Sequence, residues 1–180
     1  MPRIYTRTGD AGETTFFDGT RVLKSDPRVD ACGDVDELAS WLGLIRSTGE
    51  LGALVEIVDQ IQRDLFALGA TLADPDRRIA SRVDKAAIDA RAVGRLEAWI
   101  DALDAELRPL HRFILAGGTP AGAMLHLARA VCRRAERRIV ALGPAAVRDQ
   151  VLAYVNRLSD LLFTMARTVN RRAGIAEIEW

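Results

Sequence analysis

Five long runs in this chain place apolar side chains at intervals of three and four residues, a spacing that an α-helix buries along one face. The first follows Pro27 through Val29, Cys32, Val35, Leu38, Ala39, Leu42 and Ile45, and ends before Gly49. The second, over residues 51–73, carries Leu54, Val58, Ile61, Leu65, Leu68 and Leu72 before Asp74 and Pro75 stop it. The third covers about 85–107, with Val93, Leu96, Ile100, Leu103 and Leu107 on one side. The fourth starts at Thr119, a good N-cap, with Pro120 in first helical position, and reaches Leu142 before Gly143 and Pro144. The fifth, 146–171, carries Val147, Val151, Tyr154, Val155, Leu158, Leu162, Met165 and Val169.

Short connections and the lack of a convincing strand pair make an all-α, five-helix up-and-down bundle the expected fold. At 180 residues the chain reads as a single domain, 1–180, with a loop over 1–27 and the bundle over 28–172. A core of that size needs no disulfide staple. Residues 77–83 carry mixed charge and read as a surface connection. The opening stretch, rich in Gly, Thr and Asp without helical period, is either an ordered loop or a disordered tail.

Charge and cysteine content narrow the function. Twenty-five basic and 25 acidic residues cancel, which argues against gripping nucleic acid or anionic lipid through the overall field. No run approaches the roughly 18 apolar residues of a membrane span, and the first ten residues lack a signal-peptide core. A cytoplasmic protein is expected. Cys32 and Cys132 form no C-x-x-C pair and read as small core residues in a reducing compartment. His111 and His126 lack partners at ligand spacing, so no protein-held metal and no Ser-His-Asp triad are expected.

Three segments carry candidate chemistry, each with a plainer reading beside it. Residues 6–15 combine Gly9 and Gly12 with the hydroxyls of Thr6, Thr8, Thr14 and Thr15, a composition that lets backbone approach phosphate oxygens, though such clusters are commonest in turns. It is not a Walker A loop. In the fourth helix Arg129, Arg133, Arg134, Glu136, Arg137 and Arg138 crowd within ten residues. Guanidinium forks suit phosphate, a solvated face is the ordinary alternative, and a subunit interface is a third. The fifth helix places Asn156 and Asp160 on one face, as a ligand contact or an interhelical hydrogen-bond pair. Asp34, Asp36 and Glu37 on the first helix can pair with those arginines, hold Mg²⁺ or face solvent.

Taken in order, the motifs resemble those of the PduO-type ATP:cob(I)alamin adenosyltransferases over nearly the whole chain. The T-R-T-G-D-x-G-x-T loop stands at residues 6–14, followed by Lys24, Asp26 and Arg28 and by V-D-E-L at 35–38. The family's F-I-L-P-G-G-T appears at 113–119 with Ala116 in place of proline, a change that frees the backbone beside Phe113. A-R-x-x-C-R-R-A-E-R occupies 128–137, and N-R-L-S-D-x-L-F occupies 156–163.

The resemblance implies adenosyl transfer from ATP to cob(I)alamin in a homotrimer with active sites at subunit interfaces. It implies ATP contacts from Thr6, Arg7, Thr8, Gly9, Thr14, Thr15 and Lys24, and from Arg133, Arg134, Glu136, Arg137 and Asn156. Arg133, Arg129, Asp36 and Phe113 are the implied catalytic positions. Asp36 and Arg129 match an intersubunit ion pair, and Phe113 matches the aromatic that displaces the lower axial ligand of cobalamin. Mg²⁺ accompanies ATP. A flavin reductase and a B12-dependent acceptor enzyme are the implied partners, with neither nucleic acid nor membrane among them.

Overall fold

The computed structural model describes residues 4–17, 19–74, 88–144 and 147–180. It opens on a hairpin in which β1 (Glu13–Thr15) pairs antiparallel with β2 (Arg21–Leu23), setting Glu13 opposite Leu23 and Thr14 opposite Val22. This corrects the expectation of no strand pair. Three-residue strands are too short for alternation to register in the sequence. Gly12 and Gly19, at φ 82° and 90°, supply the left-handed turns around them. Lys24 N donates to the Gly12 carbonyl at 2.8 Å, and Arg21 pairs with Glu13 at 2.7 Å, so this stretch is a hydrogen-bonded loop.

α1 (Pro27–Ser47) starts where the Asp26 carboxylate accepts the Arg28 N–H at 2.8 Å. The second run divides into a 3-10 turn, Gly52–Leu54, and α2 (Val55–Leu72), with Gly52 at φ 54°. α3 (Ala90–Asp104) is capped by Asp89, whose carboxylate accepts the Ala92 N–H at 3.0 Å. Extended backbone at Asp89 sets the start later than anticipated, and the helix ends at Asp104 rather than Leu107. Residues 85–87 and the connection at 77–83 lie outside the described residues. α4 (Pro120–Ala141) keeps the expected cap, Thr119 accepting the Gly122 N–H at 3.0 Å. α5 (Asp149–Arg172) follows an extended Arg148, and the anticipated start at 146 falls outside the described residues.

α1 packs on α2 and α4, α4 on α5, and α5 on α3. The interhelix bonds fix direction. Arg138–Asp30 and Arg134–Asp34 run α4 against α1, Arg46–Asp59 runs α2 against α1, and Cys132–Val155 runs α5 against α4. Arg157–Glu97 and Arg172–Glu106 set α3 parallel to α5, so successive helices alternate in direction. Every predicted stripe residue of the second and fifth runs is buried. One buried acid lies among them: Asp64 accepts from Tyr154 at 2.9 Å, Gln60 at 2.8 Å and Arg95 at 2.6 Å, which ties α2, α3 and α5 together. No helix of the described residues is long and apolar enough to cross a membrane.

Candidate functional site

A cleft of about 580 Å³ opens between the segment 110–114, α4 and α5, within the range of small-molecule sites. Phe113 forms one wall and remains 80% exposed. Arg129 and Arg133 enter from α4, one turn apart on the same face, and Ser159, Asp160 and Phe163 enter from α5. Neither arginine has an ion-pair partner among the described residues. Arg129 lies 5.6 Å over the Phe163 ring, and its Nε is buried without an acceptor among the described residues.

The remaining arginines of α4 divide by face. Arg134 donates to Asp34 at 3.1 Å and to Glu37, and the Asp34 hydrogen bond holds its guanidinium above the ordinary pKa. Arg138 pairs with Asp30. These pairs bind α4 to α1, as the acids of the first helix allowed. Arg137 donates to the Arg133 carbonyl at 2.9 Å and is exposed. Glu136 accepts from Asn156 at 3.1 Å, so Asn156 makes an interhelical hydrogen bond, with Glu136 rather than Asp160. Asp160 instead approaches Arg157 at 3.7 Å.

The N-terminal loop is built separately. Thr6 and Thr8 hydroxyls lie 2.8 Å apart, and Arg7 sits at φ 61° over the Tyr5 ring. A Cβ on Gly9 would come within 3.2 Å of Lys24 Nζ, so the missing side chain lets the lysine ammonium fold over the loop. Thr14 faces Val22 in the hairpin, and Thr15 is exposed. Phe17 N donates to the Ala73 carbonyl at 3.4 Å, which sets the loop beside the end of α2. None of Thr6, Arg7, Thr8, Gly9, Thr14, Thr15 or Lys24 lines the cleft. Asp36 is exposed on α1 and makes no ion pair among the described residues. The chain therefore gathers Phe113, Arg129 and Arg133 into one cleft and leaves the loop and Asp36 outside it.

Under the cleft, His126 packs edge-on against Phe163 with ring centroids 5.8 Å apart. Burial, then the neighbouring Arg129, push its pKa below the ordinary value, and Glu177 opposes them. Burial pushes the Cys132 thiol up, so it is inert as a nucleophile. Among the described residues no group of three His, Cys, Asp or Glu is placed to hold a metal.

Sequence reasoning passed over the contacts that hold Phe113. Ile114 bridges antiparallel to Glu179, with Leu115 N donating to Ile178 O and Trp180 N to Phe113 O, each at 2.8 Å. The signal was present as Gly174 just past the last helix and a six-residue extended segment after it.

The cobalamin adenosyltransferase family profile matches residues 4–169. The chain is 43% identical over 182 residues to a cobalamin adenosyltransferase of Cupriavidus metallidurans, spanning 100% of this chain and 95% of that protein. It is 43% identical over 171 residues to a corrinoid adenosyltransferase of Citrobacter freundii, spanning 93% and 94%. Among solved structures, a phenylalanine-to-histidine variant of a PduO-type ATP:corrinoid adenosyltransferase from Lactobacillus reuteri, complexed with cobalamin and ATP, superposes with a TM-score of 0.91. That pair is 35% identical over 99% of this chain and 96% of that one.

Proposed function

The chain belongs to the cobalamin adenosyltransferase family, and from that premise we propose that the Phe113–Arg129–Arg133 cleft is where it joins the adenosyl group of ATP to a corrinoid. The enzyme transfers the 5′-deoxyadenosyl group of ATP to cob(I)alamin, releasing triphosphate. The observation that carries the placement is an exposed aromatic sharing one cleft with two guanidinium groups that have no ion-pair partner among the described residues.

The chemistry asks for what these residues supply. Co(I) donates an electron pair to C5′, the cobalt–carbon bond forms as the C5′–oxygen bond breaks, and the pair on oxygen leaves with triphosphate. The nucleophile carries no proton, so no general base is needed. Rate depends on in-line placement and on stabilising charge that builds on the leaving oxygens. Arg133 points its charge into the cleft for that purpose. Phe113 presents an apolar face that keeps water and the lower ligand from cobalt, which eases the preceding one-electron reduction of Co(II). Mg²⁺ accompanies ATP, bound through its triphosphate oxygens.

The loop of Thr6, Arg7, Thr8, Gly9, Thr14, Thr15 and Lys24 completes the nucleotide site from a neighbouring subunit of a homotrimer. This reading is supported by the loop's position outside its own chain's cleft, and by Arg129 and Asp36 each making no ion pair among the described residues. Glu136, Arg137 and Asn156 continue the polar surface along α4 and α5, with Arg134 anchoring it to α1. A flavin reductase as electron donor, a B12-dependent enzyme as product acceptor and a reducing cytoplasm complete the reading. Both cysteines are free, which suits that compartment.

The test is turnover: MgATP and chemically reduced cobalamin should give adenosylcobalamin and inorganic triphosphate in equal amounts. A folded protein that yields neither overturns the reading.

A further inference from the structure

Phe113 is 80% exposed, so packing does not fix where its ring stands. Its position has to come from the backbone of its own segment. We propose that Asn170, far along α5, is the positioning residue that sets this backbone, through its side chain on one side and its carbonyl on the other.

The side chain of Asn170 is buried, at 5% exposure, and bridges the turn that follows Phe113. Its Oδ1 accepts the Thr119 N–H and its Nδ2 donates to the Gly117 carbonyl, both at 2.9 Å. The two bonds use opposite ends of one planar amide, so they fix the turn in position and in orientation. The surrounding glycines are shaped to it. A Cβ on Gly118, at φ 108°, or on Gly122 would overlap the Asn170 amide. The Gly-Gly-Thr turn and Gly122 therefore make room for one residue on another helix.

The main chain of Asn170 begins the second restraint. Its carbonyl accepts the Ile175 N–H at 2.9 Å, while Gly174, at φ 71°, donates to Arg171 O at 3.0 Å. These two bonds close α5 with a left-handed glycine and turn the chain back. Glu177 is then anchored to the buried Arg167 at 2.6 Å, and Arg167 also donates to the Arg108 carbonyl at 2.7 Å. From that anchor Ile178 and Trp180 make the two ladder bonds to Leu115 and Phe113. The Phe113 segment is thus held at Gly117 and Thr119 by the Asn170 amide, and at 113–115 by a strand that starts from the Asn170 carbonyl.

The inference rests on the reading that Phe113 removes the lower ligand of cobalamin. Its test uses the full-length enzyme with MgATP and cob(II)alamin, and compares Asn170→Asp, Trp180→Pro, Trp180→Ala and Phe113→Ala. Asn170→Asp keeps the shape and the acceptor for Thr119 but replaces the donor to Gly117. Trp180→Pro removes the N–H that bonds Phe113 at an exposed position, where folding is not at stake, and Trp180→Ala keeps that N–H. The readouts are the fraction of bound cob(II)alamin that has lost its lower ligand, by electron paramagnetic resonance, and kcat against KM for ATP. Asn170→Asp should lower the ligand-free fraction and kcat, by on the order of tenfold, with the KM for ATP nearly unchanged. Trp180→Pro should fall clearly below Trp180→Ala in both. Parental values in Asn170→Asp and Trp180→Pro, with Phe113→Ala impaired, overturn the proposal alone. An unchanged ligand-free fraction in Phe113→Ala overturns the reading of Phe113 and the proposal with it.

Discussion

Arg129 stacks its guanidinium 5.6 Å over the ring of Phe163 while its buried Nε finds no acceptor among the described residues. The rest of this half-buried guanidinium makes no ion pair among the described residues and lines the cleft, where it suits an anion from outside, either ligand phosphate or an acid on a neighbouring subunit. Arg129→Lys keeps the charge but loses the planar fork and the stacking. Turnover should fall roughly 10- to 100-fold, with the far-ultraviolet circular dichroism unchanged.

Arg133 and Arg134 are adjacent in sequence and opposite in role. Arg133 is exposed in the cleft and makes no ion pair among the described residues, so Arg133→Ala should cost less than about 0.5 kcal/mol of stability while removing most of kcat/KM. Arg134→Ala strips the Asp34 carboxylate, whose side chain is only 13% exposed, of its hydrogen bond to α4. It should cost about 1–2 kcal/mol in denaturant unfolding. Equal effects of the two substitutions on stability would contradict this division.

Subunit mixing tests the shared site. Arg133→Ala and Lys24→Ala chains should each be inactive alone and should regain part of the parental rate when unfolded together and refolded as mixed oligomers, because some interfaces then join two intact halves. No recovery would place the loop and the cleft of one site on the same chain.

Gly122→Ala would ordinarily help a helix by about 1 kcal/mol. Here the added methyl overlaps the Asn170 amide. The variant should instead lose about 1–3 kcal/mol in thermal or denaturant unfolding, and pairing it with Asn170→Ser should restore part of that loss.

His126 gives stability a pH dependence of known sign. Burial first, then Arg129, lower its folded pKa against the opposing pull of Glu177, so the unfolded chain takes up this proton more readily. The contribution is complete above the ordinary value near 6.5 and is lost as pH falls through the lower folded value. The melting temperature of the parent should therefore drop from pH 7.5 toward pH 5 more steeply than that of His126→Gln.

Helical spacing was enough to reveal the bundle, because long amphipathic helices write their buried faces into the chain every three or four residues. Val58, Ile61, Leu65 and Leu158 are buried where that spacing places them. Thr119 and Pro120 marked the start of α4 because a cap is a local event. The hairpin at Glu13–Thr15 and Arg21–Leu23 escaped notice because its strands are short and its partners are chosen by turn geometry. Asp64 sat unremarked on an apolar stripe because its partners, Tyr154 and Arg95, come from distant helices.

The same contrast holds at the site. Residue types alone set the chemistry on offer: arginines at helical spacing, a glycine–threonine loop, and an aromatic ahead of paired glycines. Tertiary structure decided which of those arginines are spoken for, since Arg134 and Arg138 meet acids of α1 while Arg129 and Arg133 turn toward the cleft. It also decided what holds Phe113, because Asn170 reaches Gly117 and Thr119 across more than fifty positions of sequence. Periodicity and caps depend on neighbours within a turn or two and can be read along the chain, whereas ion pairing and buried hydrogen bonding depend on which helix faces which and exist only once the bundle has closed.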